Sequence, residues 1–207
     1  MALVTSLLAA CSSGGDASPE TTATTPTVIA TTQADPTTTV APTTTEAPTT
    51  TIDPAQVLAA EVEADLLEAF RLGREASQDP FNASKEQAAL ERRLGAIADG
   101  LQGSLAEFRE RNYAIRPNDI TPPSVVVESP PQFLGSDGEV AQVQICEVNS
   151  WILVEIGAGP NGTDAIVNPD VVASRATIFM RDVDGIWLFE GSSLIEEWDG
   201  VAECVAE

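Results

Sequence analysis

A long Thr/Pro-rich segment limits how much of this 207-residue chain can fold. Residues 17–51 are mostly Thr, Pro and Ala, and their only charges are Glu20, Asp35 and Glu46. Such a segment has too little apolar surface to offset the conformational entropy lost on ordering, so we expect a disordered tether. Its composition is typical of O-glycosylated stalks, and an unmodified spacer fits it equally well. The remainder, residues 52–207, has the length of one globular domain.

The charge balance excludes one large class of function. The chain has 10 basic residues against 32 acidic ones, which gives a formal net charge of −22. Because nucleic-acid binding depends on Lys and Arg contacts to phosphates, we expect no nucleic-acid partner. No stretch approaches the roughly 20 apolar residues that a transmembrane helix needs, so the sequence predicts no membrane span.

The first part of the folded region has the spacing of helices. Asp53 is a suitable N-cap, Pro54 suits the first helical position, and apolar residues then recur at helical spacing to about residue 77. The segment Ser84–Gln87 is typical of a capping box and marks a second start. Helical spacing continues to about residue 112 but is interrupted by glycines, which weaken helix interiors. We expect two shorter helices there, or one that bends near Gly100–Gly103.

From residue 122 onward the pattern is that of strands. The predicted strands cover residues 124–128, 139–147, 151–156, 171–181 and 186–194, with residues 157–168 as a loop. Asp184-Gly185 is a strong signal for a two-residue hairpin turn between the last two strands. Helices followed by a run of strands indicate an α+β domain. We expect two to three helices packed on a mostly antiparallel, curved sheet of about four to five strands.

Three local features resemble a known fold family. They are the segment Glu139–Cys146, the segment Asp184–Trp187 at a turn, and a cysteine near the C-terminus. Together with the order of elements, they are similar to the cone-shaped α+β family that includes nuclear transport factor 2, ketosteroid isomerase and the polyketide cyclases. The resemblance implies a cone fold over residues 52–207, with an opening between the sheet and the helices.

The N-terminal segment indicates an address outside the cytoplasm. The run Leu8-Ala9-Ala10-Cys11, followed by a Ser/Gly spacer, resembles the lipobox of bacterial lipoproteins. The resemblance implies that residues 1–10 are a signal peptide and that Cys11 carries a diacylglycerol, and in many such proteins also a palmitate. No basic residue precedes Leu8, so either the true start of the signal peptide lies upstream, which the Ser/Gly spacer and tether favour, or the match is a chance one in a plain secreted or cytosolic protein. In the first case the protein would be anchored at the outer face of the cytoplasmic membrane, and residues 11–51 would tether residues 52–207.

The other two cysteines form a natural pair once Cys11 is set aside for lipid. A Cys146–Cys204 disulfide is consistent with an oxidising extracytoplasmic compartment. The alternative is that they are two unrelated buried thiols. A metal site is not expected, because two cysteines without histidine make a poor ligand set.

The residue inventory limits the chemistry of any site. The chain has no histidine, which excludes Ser-His-Asp and Cys-His catalysis, and we identify no catalytic residue and no cofactor. Candidate pocket residues are aromatic or sulfur-containing, although residues of these types more often belong to the core: Trp151, Trp187, Tyr113 and Met180.

Three functions follow from this inventory. The first is a non-catalytic domain that binds a small apolar ligand or a peptide. The second is an accessory domain that docks another cell-envelope protein. The third is a lyase, isomerase or hydrolase of the cone type, and a buried carboxyl with a raised pKa beside Tyr113 would favour it.

Overall fold

The computed structural model describes residues 53–200 and Cys204. The predictions for the signal peptide, Cys11 and the tether lie outside the described residues. Three α-helices come first: α1 (Pro54–Gln78), α2 (Ala83–Leu90) and α3 (Gly95–Arg111). Eight strands follow: β1 (Tyr113–Arg116), β2 (Ser124–Val127), β3 (Gln132–Leu134), β4 (Val140–Asn149), β5 (Ile152–Glu155), β6 (Ala165–Asn168), β7 (Val172–Val183) and β8 (Ile186–Asp199). The predicted α+β class is confirmed.

The start of α1 is confirmed in detail, and so are the two shorter helices given as the first alternative for the segment that follows, whereas the bend near Gly100–Gly103 is not found. The Asp53 carboxylate accepts a hydrogen bond from the Ala55 amide at 3.0 Å, with Pro54 at the start of the helix. The chain leaves helical geometry between α2 and α3, whereas Gly100 and Gly103 lie inside α3. The reason is a tertiary contact: the Phe189 amide and carbonyl of β8 bond to the backbone at Arg92 and Leu94, at 3.0 and 2.9 Å.

The cap of α2 also differs from its prediction. Asn82 is the N-cap, and its side chain accepts hydrogen bonds from the Ser84 and Lys85 amides at 3.2 and 3.3 Å. Ser84 therefore donates to the cap and is not the cap itself. Asn and Ser are both favoured as N-caps, so the sequence alone did not decide between Asn82 and Ser84.

The strands form two antiparallel sheets. The larger sheet has the order β2-β4-β7-β8, with β3 also paired to β4, and the smaller one has the order β1-β5-β6. Strands β1, β3 and β6 were not predicted, and β6 lies in the segment predicted as a loop. Strand β3 has only three residues, β1 directly follows the helical region, and β6 is exposed at three of its four residues, so none of them shows a clear alternation of apolar and polar residues. Tyr113, expected at the end of the helical region, opens β1.

The β7–β8 hairpin has the predicted turn. Asp184 and Gly185 both have positive φ, at 56° and 82°, as a type I′ turn requires. Strand β8 continues to Asp199, beyond the predicted end, and stays paired to β7 across two register shifts. Such bulges insert an extra residue and increase the local twist of the sheet.

The main core lies between α1 and the larger sheet. In the sheet, Ala141 lies opposite Met180, which lies opposite Phe189. The buried members of the core come from α1, β4, β7 and β8: Val62, Leu66, Ala69, Ala141, Val143, Ile145, Ile178, Met180, Trp187 and Phe189. Among the described residues, no helix is both long and apolar enough to cross a membrane.

Candidate functional site

The interface between α1 and β4 opens into a cleft at one end. On the face of β4 toward α1, the buried Ala141, Val143 and Ile145 are followed at the same spacing by Glu147 and Asn149. On this face the side chains beyond Ile145 are polar, and Glu147 contacts α1 through the charged side chain of Arg74 rather than through apolar packing. The result is a cleft of about 250 Å³, with walls from α1, α3, β1, β4 and the chain segments after α2 and β4: Phe70, Gly73, Arg74, Ser77, Arg93, Leu101, Ile115, Glu147, Asn149 and Trp151.

Arg74 lies at the centre of this cleft. Its guanidinium carbon is 5.6 Å from the centroid of the Phe70 ring and 5.9 Å from that of Trp151, both within cation–π range. Its Nη2 contacts the Glu147 carboxylate at 3.4 Å, which is long for a charged pair. A second cleft of about 390 Å³ shares Phe70, Arg74 and Trp151 with the first. These three side chains therefore form the wall between two openings.

Glu147 is the carboxyl of this site. Its side chain is 24% exposed, and desolvation raises its pKa above the ordinary value despite the attraction of Arg74. A carboxyl of this kind holds its proton to higher pH than a solvated glutamate, which is one condition for acid–base chemistry. Tyr113, the partner expected for such chemistry, does not line the cleft.

Arg93 enters the cleft from the segment between α2 and α3. Its Nη1 and Nη2 each donate at 2.6 Å, to the backbone carbonyls of Ala89 and Ala69. Desolvation lowers its pKa to about 10. Gly73 makes room for it, because a Cβ at that position would lie 2.3 Å from Arg93 Nη2.

The four residues predicted to line a pocket are not brought together. Trp151 lines both clefts. Trp187 and Met180 lie in the main core, 3% and 0% exposed, since both are on the face of the sheet that α1 covers. The Tyr113 ring instead lies 6.0 Å from the Arg111 guanidinium carbon.

Sequence reasoning missed the charged residues of the cleft. A signal for Glu147 was present, because it follows Ala141, Val143 and Ile145 in the alternation of β4 and interrupts their apolar series. Arg74 carried a similar signal, four residues after Phe70 and therefore on the same side of α1. Arg93 carried none, because its position depends on the tertiary bonds of its segment to β8.

Cys146 and Cys204 form a disulfide, as predicted, with their Cα atoms 5.4 Å apart. Because adjacent residues of a strand point to opposite faces, Cys146 lies behind the sheet from Glu147. The described part of the chain has no group of three or more His, Cys, Asp or Glu residues placed to hold a metal ion.

Comparisons with known proteins leave the family open. No family model matches the chain, and no curated protein matches it. Among solved structures, it is similar to the intermembrane-space region of the chloroplast protein ARC6, with 16% identity, a TM-score of 0.48, and 66% of this chain and 95% of that one covered. It is also similar to a protein provisionally named a polyketide cyclase from Silicibacter sp. TM1040, with 12% identity, a TM-score of 0.29, and 65% and 89% covered. Both TM-scores are below 0.5, so neither likeness carries an argument, and membership of the cone-shaped family stays a prediction.

Proposed function

We propose that this protein is a lipid-anchored extracytoplasmic domain that binds a small, partly apolar ligand without catalysis. The observation that carries the proposal is the position of Arg74 between the Phe70 and Trp151 rings, where the interface between α1 and β4 opens into the cleft. Ligand sites commonly combine aromatic walls with a few polar groups that fix orientation.

The closed core restricts where a ligand could bind. The space between α1 and the larger sheet is filled by the protein's own side chains, Met180 and Trp187 among them. A ligand would therefore occupy the cleft beyond Ile145 rather than the interior. Glu147 is engaged by Arg74, and Tyr113 lies elsewhere, which supports binding over acid–base turnover.

The cysteines support the proposed location. The Cys146–Cys204 disulfide is typical of proteins in oxidising compartments, and it leaves Cys11 as the remaining cysteine. Replacing Cys11 with Ala should move the protein from the membrane fraction to the soluble fraction. Retention in the membrane fraction would reject the lipid anchor but not the ligand site.

Native mass spectrometry tests the ligand site directly. The full chain with Cys11→Ala, exported and purified without denaturant, should carry a reproducible small-molecule adduct. Trp151→Ala should lose that adduct, because it removes one wall of the cleft. Trp198→Ala is the matched control: this tryptophan also contacts an arginine, Arg175 at 5.3 Å, but it does not line the cleft. An adduct that survives Trp151→Ala, or a spectrum without any adduct, would reject the proposal.

Docking of another cell-envelope protein is the second candidate function. The filled interior favours it, and so does strand β6, where Ile166 and Val167 are 66% and 44% exposed. Among the described strands, β6 pairs only with β5, so its outer edge is open to an added strand. Crosslinking in intact cells from a photoreactive group at Ile166 should capture one defined envelope protein if this candidate is correct. A group at Ile120, which is 93% exposed outside the strands, is the control.

A further inference from the structure

The ion pairs of the described residues leave one cation without a carboxylate. All ten Lys and Arg residues of the chain lie in the described part, and nine of them have an Asp or Glu oxygen within 4.0 Å. Arg93 has none among the described residues, although acidic residues outnumber basic ones by about three to one. Its neighbour Arg92 pairs with Asp65 at 3.0 Å.

The surroundings of Arg93 make the missing carboxylate informative. A guanidinium removed from water is costly unless it is paired, and backbone carbonyls carry only partial charge. The two carbonyls occupy Nη1 and Nη2, each of which bears a second N–H, and Nε–H is a further donor. Gly73 provides the space that this side chain needs inside the fold. Arg93 is therefore held at the cleft with donor capacity to spare.

A second donor in the same cleft lacks an acceptor. The indole Nε1 of Trp151 is buried and has no hydrogen-bond partner among the described residues. Buried donors without a partner are rare in native structures, and each calls for an explanation. Trp151 and Arg93 line the same cleft from different elements, and because protein atoms cover the indole N–H, the ring must turn for one acceptor to serve both.

The cleft also has the opposite sign of charge to the protein. Its ionisable lining groups are Arg74, Arg93 and Glu147, two cations against one carboxyl. The net charge of the whole chain is −22. Burial raises the pKa of Glu147, which reduces its repulsion of an anion as the pH falls. A negatively charged ligand is thus favoured here although the rest of the surface repels it.

We propose that the cleft selects small apolar ligands that carry a carboxylate, which accepts hydrogen bonds from Arg93 and from the Trp151 indole. This inference rests on the proposed ligand-binding function and names its ligand class. A carboxylate matches the fork of a guanidinium, and such charge-assisted bonds are stronger than neutral ones. The volume of about 250 Å³ and the aromatic wall suit an aromatic or short aliphatic acid.

The test compares acids with their neutral amides. The probes are benzoate and 2-naphthoate, each beside benzamide or 2-naphthamide, titrated into the ¹⁵N-labelled full chain with Cys11→Ala. The chain has three tryptophans, and Trp151→Phe identifies the Trp151 indole resonance. We expect at least one acid to move this resonance downfield and to bind about tenfold more tightly than its amide. In Arg93→Gln this preference should fall to about twofold or less, while the matched control Arg92→Gln keeps it.

The outcomes separate the proposed binding function from the inference that the ligand carries a carboxylate. If an acid and its amide bind equally well and both perturb the cleft, the proposed binding function stands and the carboxylate inference is wrong. An acid preference that persists in Arg93→Gln also overturns the inference. If no probe perturbs the cleft, the carboxylate inference is wrong, and the native mass spectrum decides the binding function separately. Should Arg93→Gln not fold, the acid–amide comparison and the Trp151 shift in the parent chain still give the answer.

Discussion

One pair of elements, α1 and β4, builds two regions of opposite character. In the closed region, Leu66 packs with Val143 and Ile145, each at most 1% exposed. In the cleft, the same helix presents Arg74, and the same face of the strand presents Glu147. The backbone pairing of β4 with β7 continues through both regions without a register shift. The difference therefore comes from side chains and not from a change in the sheet.

The two regions show how side chains specify an opening in a packed domain. An apolar pair closes an interface because burial removes its surface from water, at about 25 cal/mol per Å². A charged pair at the next position keeps part of its hydration, and Arg74 and Glu147 remain 22% and 24% exposed. Two residues along the strand, from Ile145 to Glu147, are enough to change core into cleft.

The largest expected effect concerns the disulfide on the face of β4 opposite the cleft. Cys146 lies between Ile145 and Glu147 and is bridged to Cys204, 58 residues away. Replacing both cysteines with Ala should lower the free energy of unfolding by about 4 kcal/mol in the chain-entropy model. Denaturant unfolding measures this loss. Because the bridge is behind the sheet, the probes of the cleft should bind the double variant with nearly unchanged affinity. A stability equal to that of the parent would show that the bridge does not restrain the unfolded chain.

A substitution in the closed region should lower the free energy of unfolding by somewhat less. Leu66→Ala leaves a cavity at a fully buried site, and we expect the free energy of unfolding to fall by about 3 kcal/mol. Leu67→Ala is the control. Leu67 lies on the same helix but is 38% exposed, so its replacement should lower the free energy of unfolding by much less. If Leu66→Ala weakened probe binding more than it weakened folding, the two regions would not be independent.

The sequence predicted the closed region better than the cleft. The stripe of α1, the long strands and the Asp184-Gly185 turn all follow from local periodicity and turn chemistry. The strands β1, β3 and β6 carry no clear alternation of apolar and polar residues and were not predicted. The cleft depends on Arg93, whose place is set by backbone bonds between its segment and Phe189, about a hundred residues away. No local pattern encodes such a contact, so this half of the site required the structure.

A smaller effect is expected at the glycine that admits Arg93. In Gly73→Ala, the new Cβ would lie 2.3 Å from Arg93 Nη2, and the guanidinium must move away from the Ala69 carbonyl. Losing that bond opposes the gain of about 1 kcal/mol from higher helix propensity, so we expect a net change within about 1 kcal/mol. The acid-over-amide preference should fall nonetheless. Gly100→Ala, where a Cβ meets nothing within 4 Å, should stabilise the protein and keep the preference. A lower preference in both variants would contradict this assignment.

The smallest effect is a pH dependence that separates the cleft from an ordinary surface ion pair. Burial raises the folded-state pKa of Glu147, so the folded protein holds this proton more tightly than the unfolded chain does. The associated stability is fully present below the ordinary value of 4.5 and is lost as the pH rises through the folded-state pKa. Relative to Glu147→Gln, the parent protein should therefore lose stability as the pH rises from 4.

Glu68→Gln gives the opposite sign and serves as the control. Hydrogen bonds from Arg71, at 2.6 and 2.7 Å, lower the pKa of Glu68, so its contribution is present above the ordinary value and is lost as the pH falls. Urea unfolding of the parent and both variants between about pH 2 and 8 measures the two slopes, with that of Glu68 below its ordinary value of 4.5 and that of Glu147 above it. If the Glu147 slope had the same sign as that of Glu68, attraction to Arg74 would outweigh desolvation. Arg74 and Glu147 would then behave as a solvated ion pair. The cleft would differ from the closed region in its exposure to water and not in holding a buried charge.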